Sequence, residues 1–204
     1  MEKRDKTFIW PSLVAKLVAG ESQCVWAAWL KSNFSYNKLP SDFNLAMWNV
    51  KHTALLRSRC DAMEKLGFKV LIEDQNSFKW DYSATAVVSG KPDLIIFNNN
   101  RSIIEDIKSG KPKTSDQIQV MFYQIVLPRA VPEYDNTEFD GTVIYKEGVN
   151  NISIPSSAAQ DQSLKDEIGK TLNLLAGDES GCRRVASHNE CKWCDISECT
   201  ARIK

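Results

Sequence analysis

The chain has 204 residues, of which 43% are hydrophobic, and 26 Lys and Arg balance 26 Asp and Glu to a formal net charge of zero. That length suits one domain, 1–204, with a sizeable core. Neutrality excludes a global basic field as the means of holding a polyanion, so any nucleic-acid contact must come from local patches.

Lys16 and Glu21 interrupt the only stretch that would suit a leader, and no apolar run reaches membrane-spanning length, so the expectation is an intracellular protein without membrane association. Pro11 followed by Ser12 predicts a helix start capped by Ser12. Leu13, Leu17, Trp26, Trp29 and Leu30 then recur at roughly helical spacing. A polar loop is expected around 35–42, and a second helix over about 44–66, stopped by Gly67. The apolar set of that helix is Trp48, Leu55, Leu56, Met63 and Leu66. Strands are expected over 68–72 and 78–88. The run Leu94-Ile95-Ile96-Phe97 has the pattern of a strand covered on both faces. Asn98-Asn99-Asn100 is a turn signal, and 102–108 is the returning strand. A basic loop over 109–113 leads to a helix over about 115–127, ended by Pro128 and Pro132. Strands at 141–145 and 151–154, a helix over 163–175 and a cysteine-rich tail complete the chain. Neither copy of Ser-Gly-Lys-Pro, at 89–92 and 109–112, fits a phosphate-binding loop, so no ATP site is expected.

Chemistry concentrates where Pro92-Asp93 is followed, after twelve intervening residues, by Asp106-Ile107-Lys108. Strand side chains alternate, so Asp106 and Lys108 share a face with Ile104, while Ile103, Glu105 and Ile107 point the other way. The Asn-rich turn sets Asp93 opposite 105–106, so Asp93 and Asp106 can share one cation with Lys108 beside them. Glu105 is expected to be solvated or outside the first ligand shell. Mg²⁺ or Mn²⁺ takes oxygen ligands and keeps several waters. Such an ion polarises a phosphoryl oxygen and acidifies bound water, and a neighbouring lysine orients that water or stabilises developing charge. The bland reading is a surface hairpin with a salt-bridged pair. Gln119 and Tyr123, four apart on the next helix, share a face and can meet a phosphate or base there, or be ordinary amphipathic positions. His52, one of two histidines, is most simply structural on its helix. Lys111 and Lys113 are candidates for DNA backbone contacts or for a solvated loop.

Six cysteines in an intracellular chain point away from disulfides. Cys191-x2-Cys194-x4-Cys199 suits a tetrahedral metal or an iron–sulfur cluster. The fourth ligand is either local, Cys182 or His188 in a zinc knuckle, or remote, Cys24. Cys60 fits a small hydrophobe within a helix.

Pro92-Asp93, Asp106-Ile107-Lys108 and Gln119-Val120-Met121-Phe122-Tyr123 together resemble the PD-(D/E)xK nucleases of the RecB-like branch, which carry Q-x-x-x-Y after the catalytic lysine. The resemblance implies an α/β restriction-endonuclease-like core at about 44–155, a mixed sheet flanked by helices. It implies His52, Asp93, Asp106 and the Ile107 carbonyl as Mg²⁺ or Mn²⁺ ligands, Lys108 as the catalytic lysine, and Gln119 and Tyr123 as site-completing residues. The glycine that often precedes the family histidine is absent from 47–51. Ser22-Gln23-Cys24-Val25-Trp26 and the tail are similar to the iron–sulfur members of the branch, among them the stand-alone CRISPR-associated exonucleases and the AddB nuclease subunit. That similarity implies a 4Fe–4S cluster on Cys24, Cys191, Cys194 and Cys199, with Zn²⁺ the alternative, in a cap made from about 11–34 and 180–204. The expected activity is ATP-independent hydrolysis of DNA, with single-stranded ends as substrate. The alternatives are a non-catalytic DNA-binding adaptor that keeps the fold and a zinc-stabilised structural protein. The sequence names no protein partner.

Overall fold

The computed structural model describes residues 1–41, 43–98, 101–146 and 149–203. Strands β1 (Glu2–Lys3) and β2 (Thr7–Ile9) precede helix α1 (Pro11–Val18). Pro11 occupies the first helical position, where its missing N–H costs nothing. The N-cap is Trp10, without a side-chain cap bond, so Ser12 lies inside the helix and does not cap it. Gly20, at φ +69°, turns the chain, and the apolar stretch resumes as α2 (Val25–Asn33). After β3 (Phe34–Ser35), helix α3 (Leu45–Lys65) begins where the Asn44 side chain accepts the Met47 N–H and stops before Gly67, at φ +83°. Of its expected apolar set only Leu56 is fully buried. Leu55 and Met63 are half-buried, and Trp48 and Leu66 are exposed, so α3 meets the sheet through a narrow stripe.

Strands β4 (Lys69–Ile72), β5 (Phe78–Asp81), β6 (Ala86–Gly90), β7 (Leu94–Asn98) and β8 (Arg101–Lys108) follow. The single strand expected over 78–88 is two, because the N–H groups of Tyr82 and Ser83 both bond the Ala86 carbonyl and close a turn. Asn99 and Asn100 of the expected turn, like Asp42 of the expected loop, lie outside the described residues. Helix α4 (Thr114–Ala130) runs through Pro128. That proline sits in the last turn, where its missing N–H forfeits one bond, and the helix ends only when Val131 leaves helical geometry at φ −123°. The chain finishes with β9 (Phe139–Tyr145), β10 (Ile152–Ile154), α5 (Gln162–Ala176) and α6 (His188–Lys192).

The central mixed sheet has the order β10-β9-β8-β7-β4, with only β8 and β9 parallel, and α4 is the crossover that parallel pairing requires. A second sheet, β2-β6-β5, carries a parallel β2–β6 pair. Helices flank both faces of the central sheet. Ile95, Ile104 and Phe139 pack with Phe122, Val126 and Leu127 of α4 and with α1, α2 and α5. Leu94, Ile96, Ile107 and Ile144 pack with Leu56 of α3. The alternation of Leu94, Ile95 and Ile96 between the two cores is the physical content of their uninterrupted apolar run. A Cβ at Gly141 would collide with Val120, so α4 lies close on β9.

The two ends of the chain meet. Glu190 accepts from the N–H groups of Gln23 and Cys24 at 2.7 and 3.4 Å. Lys31 pairs with Asp195 at 2.7 Å, and the Leu39 N–H bonds the Asp195 carbonyl. Among the described residues no helix is long and apolar enough to cross a membrane.

Candidate active site

The antiparallel register pairs Leu94 with Glu105, which sets Asp93 beside the end of β8. Its Oδ2 accepts the Ile107 N–H at 2.6 Å. His52 reaches the same oxygen from α3, with Nε2 at 3.4 Å. The hydrogen bond to Asp93 raises the His52 pKa against the opposing effect of burial. Trp48, one helical turn earlier, stacks on the imidazole with ring centroids 4.9 Å apart.

Asp106, 2% exposed, projects to the α4 side. Its Oδ1 accepts from Gln119 Nε2 at 3.1 Å, and its Oδ2 lies 2.7 Å from Lys108 Nζ. Lys108 Nζ also donates to Gln119 Oε1 at 3.1 Å, which closes a triangle. Gln119 Nε2 reaches Tyr123 Oη at 3.2 Å, and the Tyr123 hydroxyl donates to the Lys91 carbonyl at 3.4 Å. Burial, reinforced by Asp93 and resisted by Lys108, pushes the Asp106 carboxyl up to about 6. Burial alone would lower the Lys108 ammonium, but the adjacent Asp106 outweighs it and the net shift is upward. Lys108 is therefore a cation at neutral pH, suited to charge stabilisation rather than to taking a proton.

Glu105 does point away from Asp106, but it is not solvated. It is 1% exposed, and Arg59 of α3 holds it bidentately at 2.6 and 2.7 Å. The cause is α3, which covers that face of the sheet. Ile107 buries its side chain there too, against Leu56. Lys111 and Lys113 are exposed in the loop before α4. The Lys113 N–H donates to Asp116 Oδ2 at 3.0 Å, and the Tyr145 hydroxyl donates to the same oxygen at 2.9 Å. Two further supports were not expected from the sequence. Glu21 accepts both the N–H and the hydroxyl of Ser115, at 2.9 and 2.7 Å, and so pins the first turn of the helix that carries Gln119 and Tyr123. Trp48 had one available signal, its position four residues before His52 on a helix.

The donor set suits a hard divalent cation. Asp93 and His52 meet at one oxygen, and the nearby buried Asp106 Oδ2 has the ion-pair contact to Lys108 but no hydrogen bond of good geometry, which leaves lone pairs to share. Among the described residues no three His, Cys, Asp or Glu side chains form a metal cage by themselves. Mg²⁺ is commonly held by one or two carboxylates plus water, so the set still fits. Of the four expected cluster cysteines, Cys24 Sγ accepts the Val185 N–H and Cys191 Sγ accepts the Ile203 N–H, both at 3.4 Å. Cys194 and Cys199 are half-buried beside the main core, and Cys182 donates instead toward the carbonyls of Leu174 and Asp178.

The family model of the PD-(D/E)XK nuclease superfamily matches residues 17–199. Comparison with curated proteins gives no match. Among solved structures, that of SSO0001 is similar with 15% identity and a TM-score of 0.48, over 98% of this chain and 90% of that one. An alkaline exonuclease, LHK-Exo from Laribacter hongkongensis, is similar with 14% identity and a TM-score of 0.46, over 82% of this chain and 87% of that one.

Proposed function

The chain belongs to the PD-(D/E)XK nuclease superfamily, and on that premise we propose that it is an intracellular, metal-dependent and ATP-independent DNA exonuclease acting on single-stranded ends. The observation that carries this reading is the Asp106–Lys108–Gln119 triangle beside Asp93. Asp93, Asp106 and His52, with the Ile107 carbonyl, would hold Mg²⁺ or Mn²⁺. An ion held there would supply polarisation of a phosphoryl oxygen and a more acidic bound water. Lys108 stabilises the charge that develops on the phosphate. Gln119 fixes the ammonium relative to Asp106, and Tyr123 fixes Gln119. Lys111 and Lys113 flank the site as contacts for the DNA backbone. The order of motifs along the chain resembles that of the stand-alone CRISPR-associated exonucleases and supports the choice of single-stranded ends.

The same reading extends to the cysteines. Cys24, Cys191, Cys194 and Cys199 would carry a 4Fe–4S cluster that clamps the chain ends. Its support is the meeting of those ends at Glu190 and the N–H groups already directed at Cys24 and Cys191 sulfur. An anaerobic preparation should be brown, and Cys191→Ala should lose the colour; a colourless protein with stoichiometric zinc would identify a zinc site instead. The nuclease reading is tested by degradation of labelled single-stranded and duplex DNA with Mn²⁺. End-first shortening of the single strand supports it, and no cleavage of either refutes it.

A further inference from the structure

Beside the catalytic cluster lies a cavity of about 520 Å³ that the proposed reaction has not used. Trp10, Ser77, Lys79, Ser89 and Lys91 line it, and its size falls within the usual range for a small-ligand site. Register builds its wall. Ser89 of β6 pairs with Lys79 of β5, and Ile9 pairs with Val88, so the next residue, Trp10, runs alongside Ser89. An indole, a hydroxyl and an ammonium thus cross the sheet in one row. The floor is the Phe78 ring, which packs so close to Gly90 that a Cβ there would lie 2.8 Å away.

The chemistry of the wall is that of a nucleotide. Trp10 is 37% exposed and offers an aromatic face, and the Arg4 guanidinium lies 5.9 Å from its centroid. Lys79 has no ion-pair partner among the described residues. Lys91 pairs with Asp74 at 3.0 Å, but both groups are largely exposed, and such a pair is weak enough for a phosphate to displace. The cavity also joins the catalytic cluster physically. Its rim residue Lys91 is the one whose carbonyl takes the Tyr123 hydroxyl, and Asp93 follows two residues later. Four residues from Ser89 to Asp93 span at most about 14 Å.

We propose that this cavity is a subsite for a nucleotide flanking the scissile phosphate, with its base stacked on Trp10 and its phosphate held by Lys79 and Lys91. The inference rests on the nuclease reading and deepens it. Stacking on Trp10 requires an unpaired base, so the cavity selects single-stranded DNA over duplex.

The test is fluorescence anisotropy of a labelled single-stranded oligonucleotide and of its duplex, in EDTA so that nothing is cleaved. Trp10→Ala should weaken single-strand binding about tenfold, the loss expected for one base stack, and leave duplex binding unchanged. Lys79→Ala should reduce the slope of log K against log salt by about 0.7. Lys79 stands exposed on a strand, so this variant keeps the proposal decidable if Trp10→Ala fails to fold. In parallel, Mn²⁺-dependent hydrolysis of bis(p-nitrophenyl) phosphate, which has no neighbouring nucleotide, should be equal in wild type and both variants. A wild type that binds the single strand but hydrolyses neither substrate defeats the nuclease reading and leaves the binding arms to decide the subsite. Wild-type affinity in both variants, or no single-strand binding by the wild type, overturns the subsite.

Discussion

His52 Nε2 stands 3.4 Å from Asp93 Oδ2, which also accepts the Ile107 N–H, so helix α3 on one face of the central sheet and strand β8 within it converge on a single carboxylate. Asp106 reaches the same region from the α4 side, and the proposed metal position therefore lies at the end of the sheet, between its two helical layers. If His52 is a ligand, His52→Ala should raise the Mn²⁺ concentration for half-maximal cleavage by at least 10–100-fold, the range seen when even outer supports of a metal site are lost. Trp48→Ala, which only frees the imidazole to turn, should raise it by no more than about tenfold. Metal titrations of the cleavage rate check both.

Gln119 contacts Asp106 and Lys108 with opposite ends of one amide. Gln119→Ala removes both bonds and leaves the two charged groups in place. The expected loss is about 10–100-fold in kcat, the value of a hydrogen bond to a charged group, with KM for an oligonucleotide little changed. A rise in KM with kcat preserved would make Gln119 a substrate contact instead.

Arg59→Ala would strand the buried Glu105 carboxylate without its cation. Removing one partner of a buried pair costs about 3–5 kcal/mol, and Arg59 is partly exposed, so about 2–3 kcal/mol is expected. For a chain of this length that lowers Tm by roughly 5–10 °C. Thermal melts should show the loss, while the variant keeps its Mn²⁺ requirement at temperatures where it is folded.

The tail should respond to acid in a defined direction. Burial pushes the Asp195 carboxyl up, but the Lys31 ion pair and the Tyr36 hydroxyl outweigh it and hold it below its usual 3.8. A depressed carboxylate stabilises the fold above its unfolded pKa and loses that contribution as pH falls through the folded value. Asp195→Asn should therefore cost about 1 kcal/mol at neutral pH, and the gap to wild type should close only as pH falls below 3.8 and through the depressed folded value. Urea melts of both proteins across pH measure the gap.

What the sequence revealed was local. Asp106, Lys108 and the opposed Glu105 followed from strand alternation, Gln119 and Tyr123 from one helical turn, and the limits of α3 from Asn44 and Gly67. What it hid was long-range or context-bound. Glu21 caps a helix 94 residues away, and Arg59 finds Glu105 across 46, with no periodicity to announce either. The parallel β2–β6 pair, which builds the wall holding Trp10, joins strands far apart in the chain. The turn between β5 and β6 contains neither Gly nor Pro, so its strands read as one. The burial of Glu105 needed knowledge of which helix covers its face.

The most direct test of the central claim is the cleavage rate of labelled single-stranded DNA with Mn²⁺ for wild type and Lys108→Ala, with circular dichroism showing both folded. Metal-dependent cleavage that falls on the order of 10²–10³-fold or more in Lys108→Ala is the predicted result. Equal rates in the two proteins, or no metal-dependent cleavage by the wild type, would contradict it.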